Sequence, residues 1–592
     1  MKCSQLLGKR YKEVPSDTKL KSHELLIRGG YIRPVFSGVF SCLLPARKVL
    51  QKIEEIIREE MNAIGGQEVE MPLVQPKELW EESGRYQGIE RELVRLKDRN
   101  AHDMVLAMTH EEAAVALART EATTYKDYPF MIYQFAKKFR DEARPRGGLI
   151  RVREFTMKDA YSFHRTVEDL ENYYGQCARA YGRIYARVGV PEVLAIQGDN
   201  GIMGGKVSHE YMLLSPCGED TIIICPHCGY QANKEVASSD CIPKHDRENE
   251  MPLEKVHTPG VKTIQEVARF LNVPMTQVAK TVLYRSVGEE KLVVVMIRGD
   301  LEVNESKLAK VLKAIPEFAG DAEITAAGSV PGFSSAYGLD NVRIIADKSL
   351  EKEKNLVTGA NEQDYHLKNF NFSREMPGTI FQDIANVQEG DLCPVCHQPL
   401  TLNRGIEVGN IFQLGDKYTR PMQMRYMDEQ NQEQTPIMGC YGIGIGRLMA
   451  SVIEAKHDDK GPIWPVSIAP WPVSIITLCP KNGGDEVNKC SGELYQKLQE
   501  NHVDVLWDDR VATPGEKFAD NDLLGIPLQL VLSERNLEKG QVEWKERGTG
   551  QKGFVPVDQV IPFVQNWLEA ENTKLLKGAE TVKVPPKEEY TH

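Results

Sequence analysis

The sequence predicts an α+β domain built on an antiparallel sheet, a second α+β domain inserted into it, and a C-terminal α/β domain. Two aromatic and β-branched segments, YPFMIYQFAKKFRDE and LIRVREFTMKD, flank the glycine-containing ARPRGG and predict an antiparallel hairpin. A stretch able to form its own core lies between CPHC and CPVC, which predicts the insertion. After the proline-rich GPIWPVSIAPWPVSIITL, strand-like and helix-like segments alternate, as in domains with parallel strands.

The domain boundaries follow from these segments. A chain of 592 residues is too long for one hydrophobic core. We assign residues 1–240 and 391–466 to the two parts of the main domain, 241–390 to the insertion, and 467–592 to the C-terminal domain and tail. Within the insertion, TIQEVARFL is predicted to be helical, while KTVLYRSV, LVVVMIRGD and VRIIADKSL are predicted strands.

Composition places the chain among globular proteins, with 41% apolar and 27% charged residues. No window approaches the roughly 20 apolar residues that span a bilayer, and MKCSQLLGKRYKEV lacks the apolar core of a signal peptide. We therefore expect a cytoplasmic protein with no membrane partner. The net charge of −12 argues against indiscriminate binding to nucleic acid but leaves specific binding open.

Positive charge is concentrated in the predicted hairpin, FRDEARPRGGLIRVREFTMKDAYSFH. Because side chains alternate along a strand, we expect Arg140 and Glu142 to share one face of the sheet. The residues expected to share a face on the returning strand are Arg151, Arg153, Phe155, Met157 and Asp159. A guanidinium, a carboxylate and an aromatic ring together fit the phosphate, amine and base of a nucleotide. The alternative is a solvated charged hairpin.

A glycine-rich segment, MGCYGIGIGRLMA, is the second candidate for ligand binding. Arg447 occupies the position where a dinucleotide-binding fingerprint needs its third glycine, which excludes that interpretation. Alternate glycines on a strand allow a ligand to lie flat on the backbone. Arg447 at the start of the following helix adds a cation beside the positive end of the helix dipole.

These two segments resemble motifs 2 and 3 of class II aminoacyl-tRNA synthetases, and EVEMPLV resembles motif 1. MTHEE, REFTMKDAYSFH, GGKVSHEY, GIEVGNIFQLG and PGEKFADNDLLGIPL extend the resemblance, in order, to the bacterial-type prolyl-tRNA synthetase family. The resemblance implies that proline and ATP form prolyl-adenylate and pyrophosphate, and that the prolyl group then passes to tRNA(Pro). It also implies Mg²⁺ bound with ATP, and a homodimer formed through motif 1 and the helix before it.

The resemblance assigns roles to individual residues. Arg140 and Arg447 are the implied catalytic residues. The implied ATP-binding residues are Arg140, Glu142, Arg151, Phe155, Glu407, Asn410, Gln413, Gly444 and Arg447. The implied proline-binding residues are Thr109, Glu111, Arg140, Asp159, Tyr161 and His209. Arg144 and Arg146 are expected to contact the acceptor end of the tRNA, and the loops at WDDR, PGEKFAD and SERNLEKG to contact the anticodon.

Some residues in these motifs have an alternative role, an unusual identity or no assigned role. Thr109 and Glu111 could equally serve as the cap and first-turn carboxylate of the helix EEAAVALART, and both roles can coexist. Asn410 stands where the family usually has histidine, so no acid or base is expected there. Cys440 lies beside the glycines, but the reaction needs no nucleophile and we assign it no catalytic role.

The insertion resembles the editing domain of the same family. A pocket that fits proline rejects the smaller alanine only weakly, by about 1–3 kcal/mol, so a second, hydrolytic site has a physical reason. The resemblance implies that Lys280 binds the terminal phosphate or orients the ester of alanyl-tRNA(Pro), and that Gly359 and His366 shape the alanine pocket. Without the resemblance, Lys280 would be interpreted as a solvated surface lysine. CPHC and CPVC have zinc-knuckle spacing and predict a structural Zn²⁺ site of Cys225, Cys228, Cys393 and Cys396, with free thiols as the alternative.

Two other functions remain open at this point. A synthetase for threonine, glycine or histidine would share the class II motifs, but the insertion between the cysteine pairs disfavours it. A non-catalytic paralogue that binds tRNA or an amino acid would be indicated by loss of Arg140, Glu142 or Arg447, and all three are present.

Overall fold

The computed structural model describes residues 1–13, 16, 18–89, 92–201, 204–205, 207–286, 291–479, 485–579 and 584–590. The chain divides into two compact units, one of residues 1–196, 202–219 and 404–592, and one of residues 197–201 and 220–403. The second unit extends beyond the predicted insertion, because both Cys-x-x-Cys segments belong to it. None of the helices within the described ranges combines the length and apolar character needed to cross a membrane.

Residues 1–219 supply the first set of elements. The helices are α1 (Lys21–Arg28), α2 (Leu44–Ala63), α3 (Lys77–Glu82), α4 (Arg85–Gly88), α5 (Glu111–Glu121) and α6 (Val167–Arg187). The strands are β1 (Ile32–Phe36), β2 (Val39–Cys42), β3 (Gly66–Glu68), β4 (Val74–Pro76), β5 (Arg95–Lys97), β6 (Asp103–Leu106), β7 (Phe130–Phe139), β8 (Glu154–His164), β9 (Leu194–Gln197) and β10 (Val207–Leu214).

Residues 220–400 contain the next set. The strands are β11 (Asp220–Ile224), β12 (Gln231–Asn233), β13 (Glu254–His257), β14 (Ala279–Ser286), β15 (Val293–Arg298), β16 (Pro316–Phe318), β17 (Arg343–Asp347), β18 (Leu356–Gly359), β19 (Tyr365–Phe370) and β20 (Phe381–Gln382). The helices are α7 (Ile264–Leu271), α8 (Glu305–Leu312), α9 (Asp321–Ala326) and α10 (Phe372–Glu375).

The remaining elements complete the main and C-terminal domains. The strands are β21 (Thr401–Gly415), β22 (Tyr426–Met427), β23 (Glu433–Gln434), β24 (Ile437–Gly444), β25 (His457–Asp458), β26 (Gly461–Pro462), β27 (Val473–Leu478), β28 (Val505–Asp508), β29 (Leu528–Ser533), β30 (Gln541–Glu546) and β31 (Lys552–Pro556). The helices are α11 (Ile445–Ala455), α12 (Asp485–Glu500), α13 (Pro514–Leu523), α14 (Glu534–Leu537) and α15 (Val560–Gly578).

The main sheet of the first unit places β3, β7, β8, β24, β21 and β10 side by side. Every pairing in this series is antiparallel except that of β3 with β7, so the predicted antiparallel sheet is confirmed. From Arg47 to Ile64, apolar residues recur at spacings of three and four, which predicts an amphipathic helix. Helix α2 begins three residues earlier, with Pro45 in its first turn. Its apolar residues Val49, Ile53 and Ile57 are fully buried, which explains the spacing of three and four seen in the sequence.

The hairpin of β7 and β8 is shorter than predicted. Its ladder ends where Phe139 faces Glu154, and residues 140–153 form the connection. Arg140, Glu142, Arg151 and Arg153 therefore lie beyond the paired strands, and the prediction that strand alternation sets their faces was wrong. The proline and two glycines of ARPRGG favour a turn, and Gly147 and Gly148 both have positive φ, 68° and 62°.

The second unit contains a five-stranded sheet in the order β16, β14, β15, β17, β20 and a three-stranded sheet in the order β13, β19, β18. The predicted helix corresponds to α7, and the three predicted strands correspond to β14, β15 and β17. Val287, the last residue of the first predicted strand, lies outside the described residues. A mixed sheet packed with helices makes this unit α+β, as predicted.

The C-terminal domain has the strand order β28, β27, β29, β30, β31. Strand β27 is parallel to both β28 and β29, which confirms the predicted parallel strands, whereas β30 and β31 are antiparallel additions. The prediction of a loop at PGEKFAD was wrong, because these residues begin α13. Thr513 caps that helix by accepting from the Glu516 amide, and Pro514 occupies its first turn.

Candidate active site

A cavity of about 150 Å³ lies against strands β7, β8, β21 and β24 and the start of α5. Its lining residues are Arg85, Glu92, Met108, Thr109, Glu111, Arg140, Met157, Asp159, Ala160, Tyr161, Asn410, Phe412, Cys440, Tyr441 and Gly442. Six of these were predicted site residues: Thr109, Glu111, Arg140, Asp159, Tyr161 and Asn410. Segments far apart in the sequence therefore meet at one small space that is lined by both polar and apolar side chains.

Glycine in β24 keeps this space open. Gly442 pairs with Asn410 on one neighbouring strand and with Asp159 on the other. A Cβ atom at position 442 would lie 3.0 Å from Asn410 Oδ1, a contact tighter than side chains normally allow. The alternate glycines of the sequence thus act as predicted, by removing side chains from the wall of the cavity.

An acidic group forms one end of the cavity. Thr109 Oγ1 donates a hydrogen bond of 2.6 Å to Glu111 Oε2, and Glu111 is only 1% exposed. Residue 110, not Thr109, occupies the cap position of α5, so the capping alternative for Thr109 was wrong. Arg85 Nη1 lies 3.2 Å from Glu111 and 3.1 Å from Glu112. A buried carboxylate on the wall provides an acceptor for a charged amine.

A buried ion pair supports the floor of the cavity. Lys138 Nζ lies 2.8 Å from Asp159 Oδ1, and Gln134 and the Tyr161 hydroxyl donate to Asp159 Oδ2. Burial opposes ionisation of Asp159, but Lys138 outweighs burial and holds the pKa of the carboxyl below its usual range. Burial, reinforced by Lys138, lowers the pKa of His110 to about 4, so this imidazole is neutral at pH 7. Asp159 is thus already compensated by protein groups.

Arg140 in the cavity wall and the nearby Arg447 are two guanidinium groups close to each other. Arg140 donates through Nε to Met108 O at 3.2 Å, and its guanidinium lies 5.3 Å from the ring of Phe155. Burial and the nearby Arg447 lower the pKa of Arg140. Arg447 contacts Glu407 Oε2 at 3.1 Å. Two cations that repel each other at close range provide a site for an anion with several charged oxygens.

Asn410 is connected to Arg447 through Glu407. Its Nδ2 donates to Glu407 Oε1 at 2.8 Å, while the other carboxylate oxygen of Glu407 holds Arg447. The amide therefore performs an orienting role that does not require a titratable group. The departure from the usual histidine leaves this network intact.

The connection between β7 and β8 carries the other predicted arginines. Arg151 pairs with Glu142 at 2.8 Å and with Glu219 at 3.1 Å, and Glu219 also pairs with Arg146. Glu142 accepts a hydrogen bond from the Arg144 amide. The residues predicted for nucleotide and for RNA are therefore linked to each other by ion pairs.

Eight predicted ATP- and proline-binding residues are absent from the lining of this cavity: Glu142, Arg151, Phe155, His209, Glu407, Gln413, Gly444 and Arg447. His209 is fully buried, with Nδ1 2.8 Å from the Tyr174 hydroxyl and Nε2 3.0 Å from Glu589. Gln413 is also buried, and its amide donates to Tyr590 O at 2.8 Å. Gly444 caps the start of α11 and contributes backbone only. His209 and the Gln413 side chain are therefore not part of the proposed site.

Several residues of the site were not predicted, notably Arg85, Glu112, Lys138 and Glu219. One signal was present for Lys138. Gln134 and Lys138 lie four residues apart on an otherwise apolar strand, so both point to the same face, and two polar residues there indicate a polar cavity. Arg85 carried no such signal, because its partners lie on another helix.

A cavity of about 420 Å³ in the second unit includes Lys280, Gly359 and His366 in its wall. Lys280 Nζ pairs with Glu302 at 2.8 Å. Gly359 and His366 face each other on β18 and β19, and a Cβ atom at 359 would lie 2.1 Å from Phe333 O, so only glycine fits. Burial lowers the pKa of His366 to about 4, which makes it neutral at pH 7. The three residues predicted from separate motifs thus share one cavity.

Four cysteines of the second unit converge. The sulfur atoms of Cys225, Cys228, Cys393 and Cys396 all lie within 4.8 Å of one another. Burial opposes ionisation of Cys225, but the amides of Cys228 and His227 outweigh it and lower the pKa of the thiol to about 6. Four converging sulfur ligands suit tetrahedral Zn²⁺, which binds cysteine as the thiolate.

Comparison with known proteins assigns these features to a class. Residues 94–456 match the family model described as "tRNA synthetase class II core domain (G, H, P, S and T)", and residues 473–567 match the model described as "Anticodon binding domain". The antiparallel sheet and its cavity are therefore the core of a class II aminoacyl-tRNA synthetase.

The relatives identify the member of that class. A proline–tRNA ligase of Dehalococcoides mccartyi strain CBDB1 is 45% identical over 575 residues, covering 97% of this chain and 100% of the relative. One from Thermotoga maritima is 46% identical over 555 residues, covering 92% of this chain and 94% of the relative. The chain belongs to the proline–tRNA ligase family.

Solved structures share the fold at low sequence identity. The prolyl-tRNA synthetase of Cryptosporidium parvum complexed with halofuginone and AMPPNP matches with a TM-score of 0.57 and 14% identity, over 96% of this chain and 81% of that one. The Giardia lamblia enzyme in complex with prolyl-adenylate matches with a TM-score of 0.57 and 16% identity, over 94% and 79%.

Proposed function

We propose that this chain activates proline with ATP at the cavity of the first unit and transfers the prolyl group to tRNA(Pro). The observation that carries the proposal is that the Glu111 carboxylate and the Arg140 guanidinium line one small cavity, with Arg447 close to Arg140. An amino acid has its amine and carboxylate at fixed separation, and the cavity offers a partner for each. Its modest volume suits a compact five-membered ring.

Proline would place its secondary ammonium against Glu111, with the Thr109 hydroxyl as a further partner. Its carboxylate would face Arg140, which also serves the α-phosphate of ATP. Asp159 is already paired with Lys138, so it shapes the floor rather than binding the amine. Tyr161, whose hydroxyl donates to Asp159, closes the same wall.

In the first step, a carboxylate oxygen of proline attacks the α-phosphorus, and the bond to pyrophosphate breaks. Charge develops on the α-phosphate oxygens, where Arg140 would stabilise it, while Arg447 would hold the terminal phosphates. Glu142 and Arg151 would receive the adenine end, with Phe155 providing a flat apolar surface. Mg²⁺ bound to the phosphates would supply further charge neutralisation.

In the second step, the terminal ribose of tRNA(Pro) attacks the carbonyl of prolyl-adenylate and AMP leaves. Arg144 and Arg146 would contact the acceptor end. Both lie in the connection between β7 and β8, next to the residues proposed for ATP. Their ion pairs and hydrogen bonds with Glu142 and Glu219 would be exchanged for contacts with phosphates.

The decisive experiment is amino-acid-dependent exchange of pyrophosphate into ATP, with each amino acid in turn. We expect exchange with proline and little with threonine, glycine or histidine. Exchange with one of those amino acids and none with proline would contradict the proposal. A protein that binds tRNA(Pro) but supports exchange with no amino acid would instead be a non-catalytic paralogue.

We also propose that the second unit hydrolyses mischarged alanyl-tRNA(Pro). The proposal is supported by the grouping of Lys280, Gly359 and His366 around one cavity. Lys280 would bind the terminal phosphate or orient the ester. His366 is neutral and hydrogen-bonded to Thr258 at 2.7 Å, so it would shape the alanine pocket rather than act as a cation.

Replacing Lys280 with alanine should reduce the deacylation of alanyl-tRNA(Pro) at least about tenfold, the usual scale for losing a hydrogen bond to a charged group. Proline-dependent exchange should not change. The matched control is Lys255→Ala, an exposed lysine of the same unit that is paired with Glu362. Equal deacylation by wild type and Lys280→Ala would remove this lysine from the proposed mechanism.

Three further features belong to the proposal. The four converging cysteines would hold one structural Zn²⁺. A homodimer would form through motif 1 and α2, where Val74 and Leu44 are exposed apolar residues. The cytoplasm, where tRNA is charged, would be the compartment. A sedimentation measurement showing only monomers at micromolar concentration would contradict the dimer.

A further inference from the structure

Arg85 occupies an unusual position beside the cavity. Gly84, with φ of 77°, ends α3 and allows the chain to restart as α4 at Arg85. The guanidinium lies 5.1 Å from the ring of Trp80 and 5.4 Å from that of Tyr418. Arg85 is only 6% exposed, yet it lines the cavity wall. The rings of Trp80 and Tyr418 restrict the Arg85 side chain to one arrangement.

A single nitrogen of Arg85 contacts two carboxylates. Nη1 lies 3.2 Å from Glu111 Oε2, 3.1 Å from Glu112 Oε1 and 3.2 Å from Glu112 Oε2. Glu112 also accepts from the Ser83 hydroxyl at 2.8 Å and is fully buried. Glu111 lines the cavity, and Glu112 does not. The two carboxylates are therefore inequivalent, with one enclosed by protein and one available to a ligand.

The charges of this group do not cancel. Two carboxylates and one guanidinium leave one negative charge in a buried place, where an uncompensated charge is costly. The neighbouring charged pair of Lys138 and Asp159 is already neutral as a pair. Lys417, whose ammonium lies over the Tyr418 ring, and Arg140 in the cavity wall are near enough to attract Glu111 as well. A ligand ammonium in the cavity would meet Glu111 rather than the enclosed Glu112.

We propose that Arg85 is a positioning and charge-setting residue for proline: it compensates Glu112, so that the remaining negative charge falls on Glu111. Thr109 then holds Glu111 toward the cavity, ready for the secondary ammonium. The inference rests on the proposed role of Glu111 in binding the amine.

A double-mutant cycle tests the proposed role of Arg85, because Arg85 and Glu112 can be neutralised singly or together. Arg85→Met leaves two adjacent carboxylates without a cation, and Glu112→Gln leaves Arg85 free to neutralise Glu111. We expect each single variant to raise the KM for proline in pyrophosphate exchange at least about tenfold, the scale of a hydrogen bond to a charged group, with the KM for ATP little changed. The double variant restores one net negative charge and should recover most of the proline affinity.

The matched control is a second ion pair that also involves α5. Arg119 of α5 and Glu82 of α3 pair at 2.6 Å but are about one-third exposed, so Arg119→Met, Glu82→Gln and their combination should leave the KM for proline unchanged. Arg85→Lys keeps the charge and serves as the second variant if Arg85→Met does not fold. It should stay close to wild type in its KM for proline.

Three outcomes would overturn the inference. They are an unchanged KM for proline in Arg85→Met, a double variant no better than Arg85→Met, and an Arg85→Lys enzyme that loses proline affinity as severely as Arg85→Met. Failure of the proposed function is distinguishable, because wild-type protein would then show no proline-dependent exchange. Wild-type exchange with any of the three outcomes leaves the function standing and rejects the role of Arg85.

Discussion

Replacing Arg140 with glutamine should reduce proline-dependent pyrophosphate exchange by at least about 10²- to 10³-fold, the cost of removing one preorganised contact to a transition-state charge. Arg140 stands between the proposed positions of the amino-acid carboxylate and the α-phosphate, so its loss should affect kcat as well as both KM values. The charged form of Arg140 is unfavourable in its surroundings, because burial and the nearby Arg447 lower the pKa of its guanidinium. Glutamine keeps part of the side-chain volume and removes the charge.

The control for this experiment is Arg420→Gln. Arg420 pairs with Asp416 at the surface, and its side chain is 68% exposed, so its removal should leave exchange unchanged. Circular dichroism and the thermal midpoint should match wild type for both variants. Exchange by Arg140→Gln within tenfold of wild type would show that the α-phosphate is stabilised elsewhere.

Replacing Cys393 with serine should abolish the binding of one equivalent of zinc and destabilise the second unit. The four sulfur atoms lie within 4.8 Å of one another, and Cys225 and Cys393 are buried in a small apolar cluster with Ile223 and Val387. Zinc binding to such sites in small domains is worth about 10–16 kcal/mol in apparent free energy, so the loss should be visible as a lower unfolding midpoint. Deacylation of alanyl-tRNA(Pro) should fall with it.

Cys241 provides the matched control, because it is a free thiol of the same unit that lies outside the cluster. Cys241→Ser should retain zinc in elemental analysis and unfold like wild type. Purified wild-type protein without zinc, whose unfolding midpoint is insensitive to a chelator, would establish free thiols as the correct interpretation.

The hydrogen-bond network around position 410 accommodates asparagine, where the family usually has histidine. Asn410 orients Glu407, and Glu407 in turn holds Arg447. A histidine there would also donate a hydrogen bond, but its charge would vary with pH near neutrality. With an amide, the orientation of Arg447 carries no such dependence.

Features that depend on local spacing were predictable. The apolar repeat predicted α2, and the segments around ARPRGG predicted the hairpin of β7 and β8, because helical and strand periodicities are visible in a single segment. The glycines of β24 likewise indicated an open backbone surface. The end of the hairpin ladder was not predictable, because strand-forming residues in LIRVR precede Glu154 outside the ladder and the turn geometry decides where pairing stops.

The fold class, the order of the motifs and six of the residues that line the cavity followed from the sequence. Which side chains contact one another depends on the tertiary structure. His209 and Gln413 belong to motifs of the family, yet they point into the interior and contact residues 589 and 590. Arg85 lies 26 residues before Glu111 and meets it only because Gly84 redirects the chain. Side-chain partners of this kind are set by the packing of separate elements, which no local pattern encodes.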